Sequence, residues 1–292
     1  MLRLNSVSKV YKTGTFGRGA TLAVDQVSFD VRPGEVVALI GESGSGKSTI
    51  GKMILRLTTV TDGSIDYEGN DVALVTGRAL KGYYRSVQGV FHDPFSSYNP
   101  IFKADRVLSM VRAEYFADVS ASDWRGKIDA SLRAVSLNPD DVLGKYPHQL
   151  SGGQLQRLLI ARALLLDIKI LVADEVISML DASTRIDVLN LLGDLKQRGL
   201  GILLITHDLA LGNYISDSAV ILRQGRVVER GRTANVFDNP LHPYTQSLLA
   251  SVPRLDTKWS DENAPPPYAD RQDVPRPLVE VEDDHFVAPT AS

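Results

Sequence analysis

No cysteine occurs among the 292 residues. A fold stapled by disulfides therefore has no support, thiolate-held metal clusters are excluded, and a cytosolic setting fits. Also missing is any run of about 20 apolar residues, the length a helix needs to span a bilayer. The first residues, Met1-Leu2-Arg3-Leu4-Asn5, begin a polar and apolar alternation instead of a secretory signal. Any membrane association is thus expected to come through partner subunits. Charge of one sign is lacking too. The 32 basic and 35 acidic residues leave a net charge of −3, which gives no electrostatic case for nucleic acid. The 43% hydrophobic and 23% charged content is ordinary for a soluble globular chain, long enough for one large or two smaller compact units.

One motif stands out. Gly41-Glu42-Ser43-Gly44-Ser45-Gly46-Lys47-Ser48-Thr49 fits the pattern G-x-x-x-x-G-K-S/T. Before it, Val36-Val37-Ala38-Leu39-Ile40 reads as a buried strand, and after it Thr49 to Leu55 reads as a helix with an apolar face. Strand, Gly-rich loop and helix are the context of a phosphate site, where backbone N–H groups converge on an anion at a helix start. Gly41, Ser43, Gly44, Gly46, Lys47, Ser48 and Thr49 are the candidate binding residues. Lys47 is expected to reach the β- and γ-phosphates, and the Ser48 hydroxyl to sit on Mg²⁺.

A second anion-binding surface follows. Leu150-Ser151-Gly152-Gly153-Gln154 opens with a capping-box pattern, Ser151 with Gln154 three residues on. The helix it starts, Gln154 to about Leu165, has Leu155, Leu158, Leu159 and Ala163 at helical spacing. Alone, this is an ordinary capped helix. It is followed by Ile168 to Ala173, an apolar strand ending in Asp174 and Glu175. A strand-end Asp suits the Mg²⁺ shell, and the adjacent Glu suits polarisation of an attacking water. Gly201 to Thr206 is another buried strand, ending at His207. A parallel sheet would bring such strand ends together.

These residues resemble the ATP-binding subunit of an ABC transporter, over roughly residues 1 to 255. Leu150 to Gln154 is similar to the family signature, and Ser178-Met179-Leu180-Asp181 to its D-loop. His207 matches the switch histidine, and Tyr11 the aromatic that stacks on adenine. The resemblance implies ATP and Mg²⁺ as cofactors and a head-to-tail pair of ATPase chains. There the phosphate loop of one chain and the signature residues Ser151, Gly152, Gly153 and Gln154 of the other enclose each nucleotide. It further implies two transmembrane permease subunits and a second ATP-binding subunit, a different chain in many importers. Placement is then peripheral, on the cytoplasmic face of the inner membrane. Glu175, His207 and Lys47 would be the catalytic set; Ser48, Asp174 and His92 the metal set.

Phe91-His92-Asp93-Pro94-Phe95-Ser96-Ser97-Tyr98-Asn99-Pro100 and Asn239-Pro240-Leu241-His242-Pro243-Tyr244-Thr245 are similar to the oligopeptide, dipeptide and nickel importer branch. The branch implies an extracytoplasmic solute-binding protein and import of a small solute: a peptide first, an oligosaccharide or metal chelate as options. The chain departs from the branch at three points. His92 replaces the usual glutamine, and imidazole is a poor Mg²⁺ ligand. Val176-Ile177 replaces Pro-Thr, and the cysteine cluster of some members is absent. A chain that hydrolyses weakly because His92 disturbs metal or water placement, the regulatory half of an asymmetric ATPase pair, is the alternative reading.

The predicted fold is α/β: a phosphate-loop NTPase core with a mainly parallel sheet, an N-terminal antiparallel β subdomain and an inserted helical subdomain at about 97–165. Gly63 to Asn70 reads as a hairpin, Trp124 to Val135 and Gln246 to Val252 as helices, and Thr13 to Gly19 as a loop. Residues 256–292 form an acidic, Pro-containing tail, with nine acidic against three basic residues, read as poorly packed. Within it Pro277 to Glu282 alternates like a short strand that could dock on the core.

Overall fold

The first strands follow from the alternation of the first 31 residues. Leu2, Leu4 and Val7 of one strand, and Val24, Val27, Phe29 and Val31 of the next, all turn inward. The computed structural model describes residues 1–13, 19–251 and 277–289. Most of the loop expected at 13–19, and the tail from 256 to 276 with its Pro run, lie outside them. The chain divides into two units, Met1–Leu74 with Leu203–Ser292, and Val75–Ile202.

The first unit begins with β1 (Leu2–Thr13), β2 (Gly19–Val31), β3 (Val36–Ile40), α1 (Lys47–Ile54), β4 (Asp62–Tyr67) and β5 (Asn70–Asp71). Four of these strands form an antiparallel sheet in the order β2-β1-β4-β5, as expected for the N-terminal subdomain. The hairpin predicted at Gly63 to Asn70 is the β4–β5 turn, where Tyr67 faces Asn70.

The second unit runs α2 (Gly77–Ser86), β6 (Val87–Val90), α3 (Arg106–Tyr115), α4 (Ala121–Ala134), α5 (Pro139–Val142), α6 (Gly152–Leu164), β7 (Ile170–Asp174) and α7 (Ala182–Gln197). β6 and β7 pair in parallel, Val87 opposite Ile170 through Val90 opposite Ala173. The helical stretch predicted at about 97–165 holds α3 to α6. Ser120 caps α4 by accepting the Asp123 N–H at 3.1 Å. α6 buries Leu155, Leu158, Leu159 and Ala163, the face its spacing predicts. Its Arg162 guanidinium donates to Gln88 Oε1 at 3.1 Å and to the Gly89 carbonyl at 3.2 Å, which ties α6 to β6. Burial pulls the Arg162 pKa down, opposed by the neighbouring Tyr98, whose phenol burial pushes up.

β8 (Gly201–Thr206) leads back into the first unit, followed by α8 (Leu209–Ile215), β9 (Ser218–Arg223), β10 (Arg226–Arg232), α9 (Thr233–Asp238), α10 (Pro243–Ala250), β11 (Val279–Glu282) and β12 (His285–Val287). All five residues of β3 are buried, as a strand covered on both faces requires. β3 pairs in parallel with β9, and β9, β10, β12 and β11 continue in antiparallel order. One face is packed by Ala38, Ile40, Leu209, Ala219, Ile221 and Tyr244. α10 starts three residues earlier than its sequence pattern suggests, because Pro243 fills the first turn and His242 caps it. Over 279–287 the tail is a strand pair: the strand expected at 277–282 is β11, and β12 pairs with β10.

Candidate functional site

Candidate residues in the first unit centre on the loop between β3 and α1. Gly46 caps α1 at φ 104°, a conformation open to glycine. No side chain caps α1, and its first turn holds no acidic residue. The partial positive charge of the helix start is thus left uncompensated by carboxylates of its own turn. The Lys47 ammonium lies across the loop, donating to the Gly41 carbonyl at 2.7 Å and the Glu42 carbonyl at 2.8 Å. Lys47 is buried at 5% exposure, whereas Ser43, Gly44 and Ser48 are exposed and Thr49 half-buried. This is a cradle with open backbone toward solvent, as an incoming phosphate needs.

Tyr11 on β1 is exposed, with the Lys9 ammonium 5.1 Å from its ring centroid. An exposed ring suits stacking. His207 follows β8 directly and is exposed. The next residue, Asp208, fixes the backbone there: its N–H donates to Thr206 Oγ1 at 2.9 Å, and its carboxylate caps α8 through the Leu211 N–H at 3.2 Å.

The second unit holds the remaining candidates. The predicted capping box is present: the Gln154 N–H donates to Ser151 Oγ at 3.1 Å, and the Ser151 N–H to Gln154 Oε1 at 2.9 Å. Ser151 is exposed and Gly152 and Gln154 are half-buried at the start of α6. The same helix reaches the residue before His92. Gln156 Nε2 donates to the Phe91 carbonyl at 3.4 Å, next to the exposed His92 imidazole.

Asp174, the last residue of β7, is buried at 4% exposure. Glu175 follows at φ 49°, in the left-handed region that a non-glycine residue enters at a cost of about 1–3 kcal/mol. Its carbonyl accepts the Ser178 N–H at 3.1 Å and the Ser178 hydroxyl at 2.9 Å, which locks the turn. Val176 and Ile177, the substituted pair, are both buried at 2% exposure and pack the turn from below. Both carboxylates therefore sit at a strand end, as expected.

Sequence reasoning missed the partners of Gly153. A Cβ there would come within 2.5 Å of Thr184 Cγ2 on α7. Thr184 cannot swing away freely, since its N–H and hydroxyl both donate to Asp181, at 3.0 and 2.8 Å. Hydrogen bonds from Ser183, then Thr184, hold the Asp181 carboxyl well below the usual range. Its folded pKa is depressed, so this cap contributes at neutral pH and is lost as pH falls through the acid range. Gly153→Ala should lower stability by about 1–3 kcal/mol, the usual cost of overpacking. Thr184→Ser, which removes the colliding methyl and keeps the hydroxyl, should restore part of it. Thermal unfolding of the two single variants and the double variant checks this; equal losses in Gly153→Ala with and without Thr184→Ser would sink it.

Comparison with known proteins agrees with this layout. The ABC transporter family matches residues 24–178, and the oligopeptide/dipeptide transporter C-terminal region matches residues 228–275. The oligopeptide transport ATP-binding protein OppF of Streptococcus mutans is 38% identical over 94% of this chain and 92% of its own length. The dipeptide transport ATP-binding protein DppF of Lactococcus lactis is 40% identical over 94% of this chain and 89% of its own. Among solved structures, a dimeric ATP-binding cassette in a post-hydrolysis state, bound to ADP and Pi, superimposes with a TM-score of 0.71. It is 28% identical and covers 80% of this chain and 99% of its own. The chain belongs to the ABC transporter family, as an ATP-binding subunit of its oligopeptide/dipeptide branch.

Proposed function

We propose that this chain hydrolyses ATP to power import of peptides through a partner membrane permease. The observation that carries the reading is the pairing, on one chain, of the ABC transporter match with the oligopeptide/dipeptide C-terminal region. Residues 1–255 form the ATP-binding domain in this reading. Lys47 stabilises charge on the transferring phosphoryl group, and Gly41, Ser43, Gly44, Gly46 and Thr49 supply the loop around the phosphates. Tyr11 stacks on the base. Glu175 orients or deprotonates water, and His207 contacts the γ-phosphate.

Mg²⁺ suits the oxygen donors of Ser48, at the exposed start of α1, and Asp174, at the end of β7. When bound it neutralises phosphate charge. His92 offers only imidazole nitrogen, so it does not suit that shell. Ser151, Gly152, Gly153 and Gln154 act on the nucleotide of a second ATP-binding subunit. Two permease subunits and an extracytoplasmic solute-binding protein complete the assembly, with no nucleic acid. The chain sits peripherally on the cytoplasmic membrane face; among the described residues no helix is long and apolar enough to cross a membrane.

The test is ATP hydrolysis by the assembled transporter with Mg²⁺, with and without short peptides, beside an oligosaccharide and a nickel chelate. Peptides should stimulate turnover, and Lys47→Ala should remove the stimulation. Stimulation by the sugar or chelate alone would overturn the peptide assignment.

A further inference from the structure

The segment Asn239 to Tyr244 carries the branch resemblance, yet none of its residues has a role in the hydrolytic machinery above. In the structure it is built into a buried polar chain that ends on the phosphate loop. Glu229 of β10 is fully buried. Its carboxylate accepts the Leu241 N–H at 2.8 Å and the His242 N–H at 2.9 Å. A third contact, from His285 Nε2 of β12 at 2.8 Å, comes from 56 residues downstream. His242 Nδ1 then accepts the Tyr244 N–H at 3.1 Å, which fixes the first turn of α10.

Tyr244 delivers the contact. Its ring is 3% exposed, packed among Ala38, Ile40, Ala219 and Ile221, with the Arg223 guanidinium carbon 5.3 Å from its centroid. Its hydroxyl oxygen accepts the Glu42 N–H at 3.3 Å. Glu42 is the residue whose carbonyl accepts the Lys47 ammonium at 2.8 Å. Past this point α10 and the loop are separated by a cavity of about 590 Å³ between Glu42, Ser43, Ser247, Leu248 and Ser251. The Tyr244 hydroxyl thus joins α10 directly to the loop backbone at the edge of this cavity. Where the loop borders this open space, loss of the Tyr244 bond lets its Glu42 end shift by a small distance. Pre-ordering such a loop lowers what anion binding must spend on ordering it.

We propose that Tyr244 is a positioning residue for the phosphate loop, and that the C-terminal strand pair sets Tyr244 through His285 and Glu229. The proposal rests on the reading that this loop takes ATP. Removing His285 leaves a buried carboxylate short of a donor, and the Leu241–His242 turn it anchors loosens.

Tyr244→Phe in the full chain tests it, because the ring and its packing stay. One lost hydrogen bond should raise the Kd for Mg·ATP about three- to tenfold. Turnover at saturating ATP should stay within about twofold, the mark of lost ground-state binding. Amide hydrogen exchange at Glu42 to Ser45 should quicken. His285→Ala should raise Kd alike, and His285→Gln, which keeps an N–H donor, should remain near native. Adding His285→Ala to Tyr244→Phe should give no further rise. Unchanged Kd and exchange in Tyr244→Phe, or lost turnover at unchanged Kd, overturns the role of Tyr244. Additive effects in the double variant overturn the link to the strand pair. If the native chain binds no ATP while Tyr244→Phe still quickens exchange, the nucleotide reading falls and the strut stands.

Discussion

Replacing Glu175 with glutamine lowers ATP turnover by the assembled transporter about a hundredfold or more, the usual size of a lost general base. ATP binding stays close to native. The reason lies in the backbone. Glu175 sits at φ 49°, and its carbonyl holds the turn there through Ser178. Glutamine keeps the same shape and leaves the carbonyl contacts in place, so in the proposed reading the turn survives while the proton acceptor is lost. Steady-state hydrolysis beside equilibrium ATP binding separates the two effects. A loss smaller than about fivefold would place hydrolysis in the partner ATPase chain and make this chain the regulatory half. His92→Gln in the same assay shows whether the imidazole tunes coupling.

The second large effect is structural. Gly46→Ala should cost about 3 kcal/mol, from a backbone strain of about 1–3 kcal/mol and a collision added to it. A Cβ at Gly46 would lie 2.5 Å from the Ala23 carbonyl oxygen and 3.3 Å from Val24 Cγ2. Both belong to β2, which cannot yield without disturbing its pairing with β1. Gly44→Ala is the matched control. Its φ is also positive, at +81°, but a Cβ there meets nothing within 4 Å, so only about 1–2 kcal/mol of strain remains. At about 2–4 °C per kcal/mol, the two variants should differ by several degrees in Tm. Nucleotide affinity should fall with Gly46→Ala far more than with Gly44→Ala. Equal losses would show that the collision with β2 is absent.

Local signals made much of the core legible in sequence. β3 with its loop and α1, the Ser151–Gln154 box, and β7 ending in two carboxylates are each written within about twenty residues or fewer. Short-range rules reach that far. Long-range closeness was not legible. Nothing in the spacing of Glu229 and His285 says that they meet, because the meeting depends on the β10–β12 register, Gly231 opposite His285. Gly153 reads as a site for an anion, yet its hydrogen is also demanded by Thr184, 31 positions away on α7. The φ of Glu175 was invisible for a similar reason, since propensity favours no glutamate there. Boundaries shifted where capping residues begin a helix ahead of its periodic pattern, as at Ser151 and Pro243.

The tail strands also bear on how the chain behaves among copies of itself. Without β12, β10 would present a bare row of N–H and C=O groups, the kind of border on which another chain can zip. β12 closes that border, and among the described residues β11 becomes the outermost strand. It has only four residues, Val279-Glu280-Val281-Glu282, all exposed. A short border strand with a charge at every second position repels its own likeness and offers little length to grip. The acidic alternation of β11 thus makes this border a poor template for a second copy to pair on.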